Sequence, residues 1–542
     1  MRRAVLRAVI GNAALRRIAA GFAIFTMAEH ATWIAVLVFA YGRGGTTEAG
    51  VIALVMLVPA AVLAPFAATA GDRFPRRRVL VAAYGIQAMT MLAAAAALLS
   101  GASALVIYAL VAAASASIVL TRPVQGALLP HVVRHPDELT AANVVAGTIE
   151  GVAILVGPAI AGIVLATANP GTVFLLFGVL LAGSALLMIG LRVEPGPVGI
   201  ALDEPVASAA LDGIRTLRSE AGPRLVVAVV ASAWILWGTV DVLSVMLAID
   251  LLKIGEGGAG FLVSAIGAGG LIGSVGGLAL VGRRRLAAPL LAGVVLWGLP
   301  LAGIGIAPEA AVAFAFVAVA GAGRALLDAA GRTLLQRVST DDVLARILGA
   351  LEGLQMAALA LGSIAAPVLV LVLGPQGALI VAGLIMPTIA ALAWRGLRAI
   401  DTGVVVPDER LDAIRSVPMF APLAPAVVER LAAGATAWTA SAGTAIITEG
   451  EAGDAFHLIV SGTVEVTIGG RVVRTEGPGD YFGEIALVRD IPRTATIVAT
   501  TDVELLSIAR DPFLAALTGH RASRTAAEAI TTSRFAEPGP GS

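Results

Sequence analysis

A run of residues toward the C-terminus carries the clearest chemical pattern in the sequence. Phe482-Gly483-Glu484-Ile485-Ala486-Leu487 is followed, after five more residues, by Arg493-Thr494-Ala495. Gly483 lets the backbone approach a ligand closely, and a helical turn from Glu484 would direct free N–H groups at an anion. Arg493 can bind a phosphate through two hydrogen bonds, and Glu484 can accept one from a sugar hydroxyl. The residues predict such an anion site; the alternative is a β-barrel with a surface arginine.

The surrounding segment has the pattern of a small β domain. Residues 419–520 contain short alternating strands, with Gly462 and Gly469-Gly470 as hairpin signals. We predict a β-roll or barrel with flanking helices over 419–535, followed by a disordered tail at 536–542. Residues 399–418 are polar and contain two prolines, which predicts a linker.

The same segment resembles the cyclic-nucleotide-binding domain shared by bacterial catabolite regulators, cyclic-nucleotide-dependent kinases and gated ion channels. Residues 482–495 match that family's phosphate-binding cassette, F-G-E-x-A-L followed by P-R-T-A, without a departure. The flanks agree, since 419–423 resembles its helical entry and 478–480 its approach to the cassette.

The resemblance implies a role for each cassette residue. Glu484 would hold the ribose 2′-hydroxyl, Arg493 the cyclic phosphate, and backbone amides near Gly483, Ala486, Leu487 and Thr494 would assist. The expected ligand is cAMP or cGMP, acting as a regulator and not as a cofactor. Thr494 does not decide between them, and we favour cAMP because it is the commoner bacterial messenger.

Most of the remaining chain is too apolar for a soluble protein. Of the 542 residues 58% are hydrophobic and 14% charged, against roughly 25% charged in soluble domains. Twelve apolar runs of about 20 residues, each long enough to cross ~30 Å of hydrocarbon, lie between about residues 18 and 396. They predict an all-α polytopic membrane domain of twelve helices in two six-helix halves, 1–192 and 224–398, joined by a central loop at 193–223.

Arginine placement predicts the orientation of these helices. Arginines cluster before the first run, in the central loop, and after the second, fourth, eighth, tenth and twelfth runs. The positive-inside rule then places both termini, the central loop and the β domain in the cytoplasm of a cell with this protein in its inner or plasma membrane. Similar segments before the fifth and eleventh runs (127–151 and 333–353) indicate an internal duplication, as is common in transporters; the alternative is chance similarity between Ala/Leu/Gly-rich helices.

Residues 71–78, GDRFPRRR, resemble motif A of the major facilitator superfamily, G-x-x-x-D-R-x-G-R-R. Ala68 and Pro75 depart from it, at the two glycine positions. The resemblance covers about residues 15–398 and implies a gating role in which this loop helps to lock the two halves together. The gating residues would be Asp72, Arg73, Arg76 and Arg77. The alternative is a plain positively charged cytoplasmic loop.

Four carboxylates lie well inside the apolar runs, namely Glu29, Glu150, Asp241 and Glu352. Carboxylates are costly in a membrane and usually face a cavity or a partner. The corresponding helices line the central cavity of the resembled fold, so these acids are candidates for proton coupling or for binding a cationic substrate. The alternative is structural pairing with Arg122 or Arg324, or with Asp328 serving as the acid partner of such an arginine.

Together these patterns predict a secondary active transporter of an unknown small molecule, regulated by a cyclic nucleotide; a non-transporting membrane receptor is the alternative. The sequence has no phosphate loop of Walker type, nucleophile elbow or metal-ligand spacing, so we predict no catalytic residues and no metal. The absence of cysteine excludes disulfides and thiolate metal sites, and the net charge of zero gives no reason to expect nucleic-acid binding. The expected partners are the nucleotide, the lipid bilayer and the substrate, with homo-oligomerisation left open.

Overall fold

A computed structural model describes nine stretches of the chain and a few isolated positions between them. The stretches are 11–73, 76–129, 136–190, 220–277, 285–339, 341–404, 408–423, 425–518 and 521–536. The chain divides into two compact units, Met1–Asp401 and Thr402–Ser542, which we call the membrane unit and the C-terminal unit.

The membrane unit is entirely helical where it is described. Helices suit a lipid environment because they satisfy every backbone hydrogen bond internally. Its helices are α1 (Ala13–Arg73), α2 (Arg76–Leu99), α3 (Ala104–Leu128), α4 (Pro136–Thr167), α5 (Pro170–Ile189), α6 (Ala221–Met246), α7 (Glu256–Gly277), α8 (Ala287–Ile306), α9 (Ala310–Val338) and α10 (Asp341–Val404). A short π-helix, Leu247–Leu251, continues α6.

Two of these helices are double. Helix α1 is interrupted at Gly44 and Gly45, where Gly45 has φ +62°, and α10 is interrupted at Gly374 with φ +71°. Among the described residues, nine helical segments are long and apolar enough to cross a membrane, and Ala104–Val119 is a shorter apolar helix. The multi-pass helical architecture is confirmed, whereas this count does not confirm the predicted number of twelve spans.

The two halves of the membrane unit meet closely along α4 and α7. A Cβ on Gly257 would lie 2.5 Å from the Gly162 carbonyl oxygen, and one on Gly260 would lie 2.4 Å from the Pro158 oxygen. The Ser264 hydroxyl donates to the Leu155 carbonyl oxygen at 2.6 Å. Glycine therefore permits a backbone contact here that a larger residue would prevent.

The C-terminal unit contains two four-stranded antiparallel sheets with flanking helices, which confirms the predicted β domain. Its elements are α11 (Asp408–Ser416), α12 (Pro425–Gly434), β1 (Thr436–Ala440), β2 (Ala445–Ile447), β3 (Ala455–Ser461), β4 (Val464–Ile468), β5 (Arg471–Glu476), β6 (Tyr481–Phe482), α13 (Glu484–Arg489), β7 (Thr496–Ala499), β8 (Val503–Ala509), α14 (Arg510–Thr518) and α15 (Arg521–Ala536). The strand orders are β1-β8-β3-β6 and β2-β7-β4-β5. One apolar core includes Phe420, Phe456 and Phe513, and a second includes Ile459 and Leu505.

The predicted linker at 399–418 is wrong for most of its length. Helix α10 continues to Val404, and α11 occupies Asp408–Ser416. Leu411, Ile414 and Val417 are spaced by three and are buried in the core of the C-terminal unit, because residues three apart share one face of a helix. Of the predicted disordered tail, Ala536 ends α15 and 537–542 lie outside the described residues. Most of the central loop also lies outside them.

Candidate functional site

The segment from β6 to α13 turns sharply at Gly483. This residue has φ +88° and ψ −3° and precedes the first residue of α13. A Cβ here would lie 2.5 Å from Arg493 Nη1 and 3.0 Å from the Ala455 carbonyl oxygen. Both the left-handed backbone and the lack of space require glycine, so this turn can bring the arginine against the backbone.

Arg493 is buried, contrary to the alternative of a surface arginine; its side chain is 4% exposed. Its Nη1 donates to the Gly483 carbonyl oxygen at 3.0 Å, and its Nη2 donates to Ala455 O at 2.9 Å and to Asp454 Oδ1 at 2.8 Å. Its backbone N–H donates to Glu451 O at 2.7 Å. The guanidinium is therefore fixed in direction by the two chain segments that flank it.

The charge at this site is unevenly exposed. Burial lowers the pKa of Arg493, an effect that Asp454 opposes, and an arginine remains protonated in any case. Asp454 is 87% exposed, whereas Glu484 is buried and within electrostatic range of Arg493. The site thus holds a buried cation whose carboxylate partner lies in solvent.

The other predicted cassette residues lie on the same short segment. Ala486 and Leu487 are buried on α13, and Ile485, which precedes them, is half-buried. Thr494 and Ala495 are half-buried in the approach to β7. The structure therefore gathers the predicted residues around the Gly483 turn and Arg493.

Sequence reasoning missed two side chains beside this turn. Asp454 was not among the predicted site residues, although an acid directly after Gly453 was the available signal. His457 on β3 stacks on Phe482 with ring centroids 5.2 Å apart, and its Nδ1 lies 2.7 Å from Ser507 Oγ. Ser507 also accepts a hydrogen bond from Trp438 Nε1 at 2.6 Å. Burial lowers the pKa of His457 to about 4; Arg493 adds to the lowering, and Asp454 opposes it.

In the membrane unit, two of the four predicted acids share one arginine. Arg122 on α3 donates to Glu29 Oε2 at 2.7 Å and to Glu150 Oε1 at 2.6 Å. The three side chains are between about a quarter and half exposed. This geometry is the pairing considered as the alternative, and it joins α1, α3 and α4; a role in proton coupling stays a prediction.

The other two acids lie in separate surroundings. Asp241 on α6 is buried and accepts a hydrogen bond from Trp33 Nε1 at 3.1 Å, which links the two halves of the membrane unit. Glu352 on α10 lies 3.4 Å from Arg332 Nη2. The structure therefore does not bring the four carboxylates together into one site.

The motif at 71–78 is only partly visible. The side chains of Asp72, Arg73 and Arg76 lie outside the described residues. Arg77 is exposed and donates from Nη2 to the Ile189 carbonyl oxygen at 2.6 Å, and Arg17 donates to the next carbonyl oxygen, that of Gly190. These cations lie at the C-terminal end of α5, where the helix dipole favours positive charge. The gating role stays a prediction.

Comparison with known proteins identifies the membrane unit. The sequence model of the Major Facilitator Superfamily matches residues 18–315, more than half of the chain. This chain belongs to the Major Facilitator Superfamily. A solved structure of a mutant nucleoside transporter NupG has a TM-score of 0.59 and 11% identity, and the match covers 72% of this chain and 100% of that one. At that identity the likeness shows a shared helical transporter fold and nothing about substrate.

A second family covers the C-terminal unit. The Cyclic nucleotide-binding domain model matches residues 438–520. The cAMP-dependent protein kinase regulatory subunit of Yarrowia lipolytica is 45% identical over 102 residues, which are 18% of this chain and 27% of that protein. A cyclic nucleotide-gated potassium channel of Mesorhizobium japonicum is 39% identical over 121 residues, 21% of this chain and 33% of that one. The chain therefore spans about a quarter to a third of the length of these relatives. The two family matches together show a major facilitator transporter fused to a cyclic-nucleotide-binding domain. Neither matched family is catalytic.

Proposed function

We propose that this protein is a secondary active transporter that works by alternating access and is regulated by cAMP bound to its C-terminal unit. The observation that carries the proposal is the buried Arg493 behind the left-handed Gly483, in the same chain as a major facilitator bundle.

The Arg493 site suits an incoming phosphate. Its carboxylate partner Asp454 is largely in solvent, so a phosphate can replace or bridge it at little cost, while the two backbone carbonyls keep the guanidinium in place. Charge-assisted bonds of this kind are the strong ones. Glu484 lies buried within electrostatic range of the same cation, and its proposed role is to accept a hydrogen bond from a ribose hydroxyl. Names of the similar proteins favour cAMP, since the Yarrowia lipolytica relative is cAMP-dependent.

Twelve crossings fit the helix lengths. Ala13–Leu63 has 51 residues and Arg346–Asp401 has 56; at 1.5 Å per residue, 51 residues would extend about 77 Å, far more than the ~30 Å of a bilayer core. Each is broken at glycine, so each supplies two crossings. Counting each long helix as two crossings and adding the shorter helix Ala104–Val119 raises the nine segments to twelve crossings. We propose that both termini are cytoplasmic and that the membrane is the cell membrane.

The membrane interior supports a transporter over a receptor. A receptor could have an apolar, plugged midplane, whereas Arg122, Glu29 and Glu150 place partly exposed charge inside the bundle. Such intramembrane charge is expensive and marks a solute or ion pathway. Protons or a cation are the proposed coupling species.

The test uses purified full-length protein in lipid nanodiscs and in proteoliposomes. Calorimetry should show saturable cAMP binding to the wild type and none to Arg493→Ala, and a tag after residue 542 should be reached only from the cytoplasmic side. A solute panel in proteoliposomes should reveal a flux that changes with cAMP. Absence of binding rejects the nucleotide site; binding with no flux for any solute favours the receptor.

A further inference from the structure

Arg324 on α9 has surroundings unlike those of the other arginines inside the membrane unit. Its Cζ lies 4.2 Å from the ring centroid of Trp237 and 4.9 Å from that of Trp234, both on α6. Trp237 in turn stacks on Trp297 at 5.6 Å. Trp297 is fully buried and donates to the Ala233 carbonyl oxygen at 3.1 Å. The guanidinium therefore rests on a rigid indole platform, where cation–π attraction holds it without using its N–H groups.

Those N–H groups have no hydrogen-bond acceptor among the described residues. A guanidinium offers five donors, yet Arg324 makes no hydrogen bond to any residue that the structure describes. Its ion-pair partner Asp328 lies 3.7 Å away on the same helix, beyond hydrogen-bond distance, and such i,i+4 pairs are weak. Within a membrane, donors left without acceptors are costly. The Arg324 side chain is only 15% exposed, so bulk water offers limited compensation.

A second donor beside Arg324 is also unused. The indole N–H of Trp234 is buried and has no partner among the described residues. Because the guanidinium lies over the face of this same indole, the two open donors belong to one small region. A hydrogen-bond acceptor that reaches both the guanidinium and the indole N–H would satisfy the two donors.

Arg122 shows that an arginine of this membrane unit can be paired with carboxylates from neighbouring helices. Arg122 lies in the fourth apolar run, in the first half, and it is bound by two carboxylates at 2.6 and 2.7 Å. Arg324 lies in the tenth run, in the second half, and no carboxylate of the described residues is within hydrogen-bond distance of it. Asp241 lies within its electrostatic range but accepts from Trp33 instead.

We infer that Arg324 and the Trp234 N–H bind the anionic group of the transported substrate, so that the substrate is a small organic carboxylate or phosphate. This inference rests on the proposed transport function. The anion displaces Asp328 from the guanidinium and takes bidentate hydrogen bonds from it. Asp328 then acts as a competitor that keeps the empty site neutral.

The experiment measures binding, which requires no flux. Purified full-length protein in nanodiscs is titrated with benzoate, phenyl phosphate, neutral benzamide and cationic benzylammonium, with thermal midpoint and tryptophan emission as readouts. Benzoate or phenyl phosphate should raise the midpoint and change the emission, and benzamide and benzylammonium should not. The better of the two anions identifies carboxylate or phosphate as the preferred group.

Variants assign the effect to Arg324. Arg324→Gln should weaken anion binding by about 10–100-fold, the scale of a hydrogen bond to a charged group; Arg324→Lys should retain part of it, and Asp328→Asn should raise the affinity. Arg43→Gln is the matched control, because Arg43 also lies over an aromatic ring, that of Phe39 at 5.9 Å, and it should bind anions as the wild type does.

Three results would overturn the inference: neither anion binds better than benzamide, benzylammonium is the ligand that binds, or an Arg324→Gln protein with an unchanged ligand-free midpoint binds anions normally. If Arg324→Gln does not fold, the Arg324→Lys and Asp328→Asn variants test the inference instead. Wild-type anion affinity in both of them would overturn it. Flux of some solute without anion preference would reject only this inference, and anion binding without flux would reject only transport.

Discussion

Arg493 in the C-terminal unit and Arg122 in the membrane unit are both arginines held in place by several acceptors, but those acceptors differ in charge. Arg493 is held by two backbone carbonyls and by Asp454, which is 87% exposed. Arg122 is held by two carboxylates from two other helices. Carbonyls fix a guanidinium without cancelling its charge, so the first arrangement is ready for an external anion. The second is complete without one.

The largest expected effect is at Arg493. Arg493→Ala should weaken cAMP binding to the full-length protein by about 2–5 kcal/mol, because the cyclic phosphate is left without its cation. Arg471→Ala on β5, whose side chain is exposed, is the control and should bind normally. Calorimetry measures both variants. Wild-type cAMP affinity in the Arg493 variant would show that Arg493 does not bind the cyclic phosphate.

The phosphate-binding cassette was predicted well from the sequence because its residues lie close together along the chain. The cassette occupies residues 482–495, and its chemistry could be inferred from a glycine, an acid and an arginine at fixed spacing. Asp454 lies 39 residues before its partner, and nothing in the local pattern connects them. Helix α11 was missed because its apolar positions are few and lie between two prolines.

The membrane contacts were harder to predict for the same physical reason. Apolar periodicity identifies helices but does not say which faces meet. Glu29 and Arg122 are 93 residues apart, and Trp33 and Asp241 are 208 apart. The intramembrane acids could be named as candidates, whereas their partners depended on how α1, α3, α4 and α6 pack.

The next effect concerns pH and the C-terminal unit. Burial lowers the pKa of His457 from 6.5 to about 4 in the folded state, so below pH 6.5 the unfolded state binds a proton that the folded state does not. Stability should be constant above about pH 6.5 and fall as the pH drops toward 4. The pKa difference of about 2.5 corresponds to about 3 kcal/mol.

Urea unfolding of residues 402–542 from pH 7.5 to 4.5 measures this dependence. His457→Gln should flatten it between pH 6.5 and 4, whatever its effect on the stability at pH 7.5. An unchanged slope in the variant would show that another group titrates.

A third effect tests the self-contained pairing at Arg122. Arg122→Gln should destabilise the membrane unit by about 1.5–3 kcal/mol, the scale of hydrogen bonds to charged groups, and the partial exposure of the side chains places it near the lower end. Adding Glu29→Gln and Glu150→Gln should recover most of the loss, because no carboxylate is then left unpaired. Thermal unfolding in nanodiscs compares the single and triple variants; no recovery would contradict the assignment of the loss to carboxylates left without their arginine.

The smallest effect separates backbone strain from contact at Gly483. Gly479 and Gly483 have φ of +89° and +88°, but a Cβ on Gly479 would meet nothing within 4 Å. Gly479→Ala should cost about 1–2 kcal/mol of stability for its left-handed backbone. Gly483→Ala should cost the same and also displace Arg493, so only this variant should weaken cAMP binding. Equal cAMP affinity in the two variants would argue against the Gly483–Arg493 contact.

The central claim is that the nucleotide site and the transport cycle are coupled, and one measurement tests it directly. The chain has no cysteine, so an introduced pair can be cross-linked cleanly with a short bifunctional thiol reagent. Tyr41→Cys with Asp250→Cys joins the two halves, because the Tyr41 hydroxyl of α1 donates to the Asp250 carboxylate of the π-helix. Tyr108→Cys with Glu48→Cys replaces a similar pair, in which the Tyr108 hydroxyl of α3 donates to Glu48 of α1, and joins two helices of the same half as a control.

The cAMP affinity of the full-length protein is measured before and after cross-linking of each pair. A ligand moves a conformational equilibrium only by its difference in affinity between the states, and coupling of about 1–3 kcal/mol is the usual scale. We predict a change of about 5–150-fold on locking the two halves together and no change in the control. Equal cAMP affinity in the locked and unlocked forms would contradict the account and leave the C-terminal unit as a nucleotide-binding domain without control over transport.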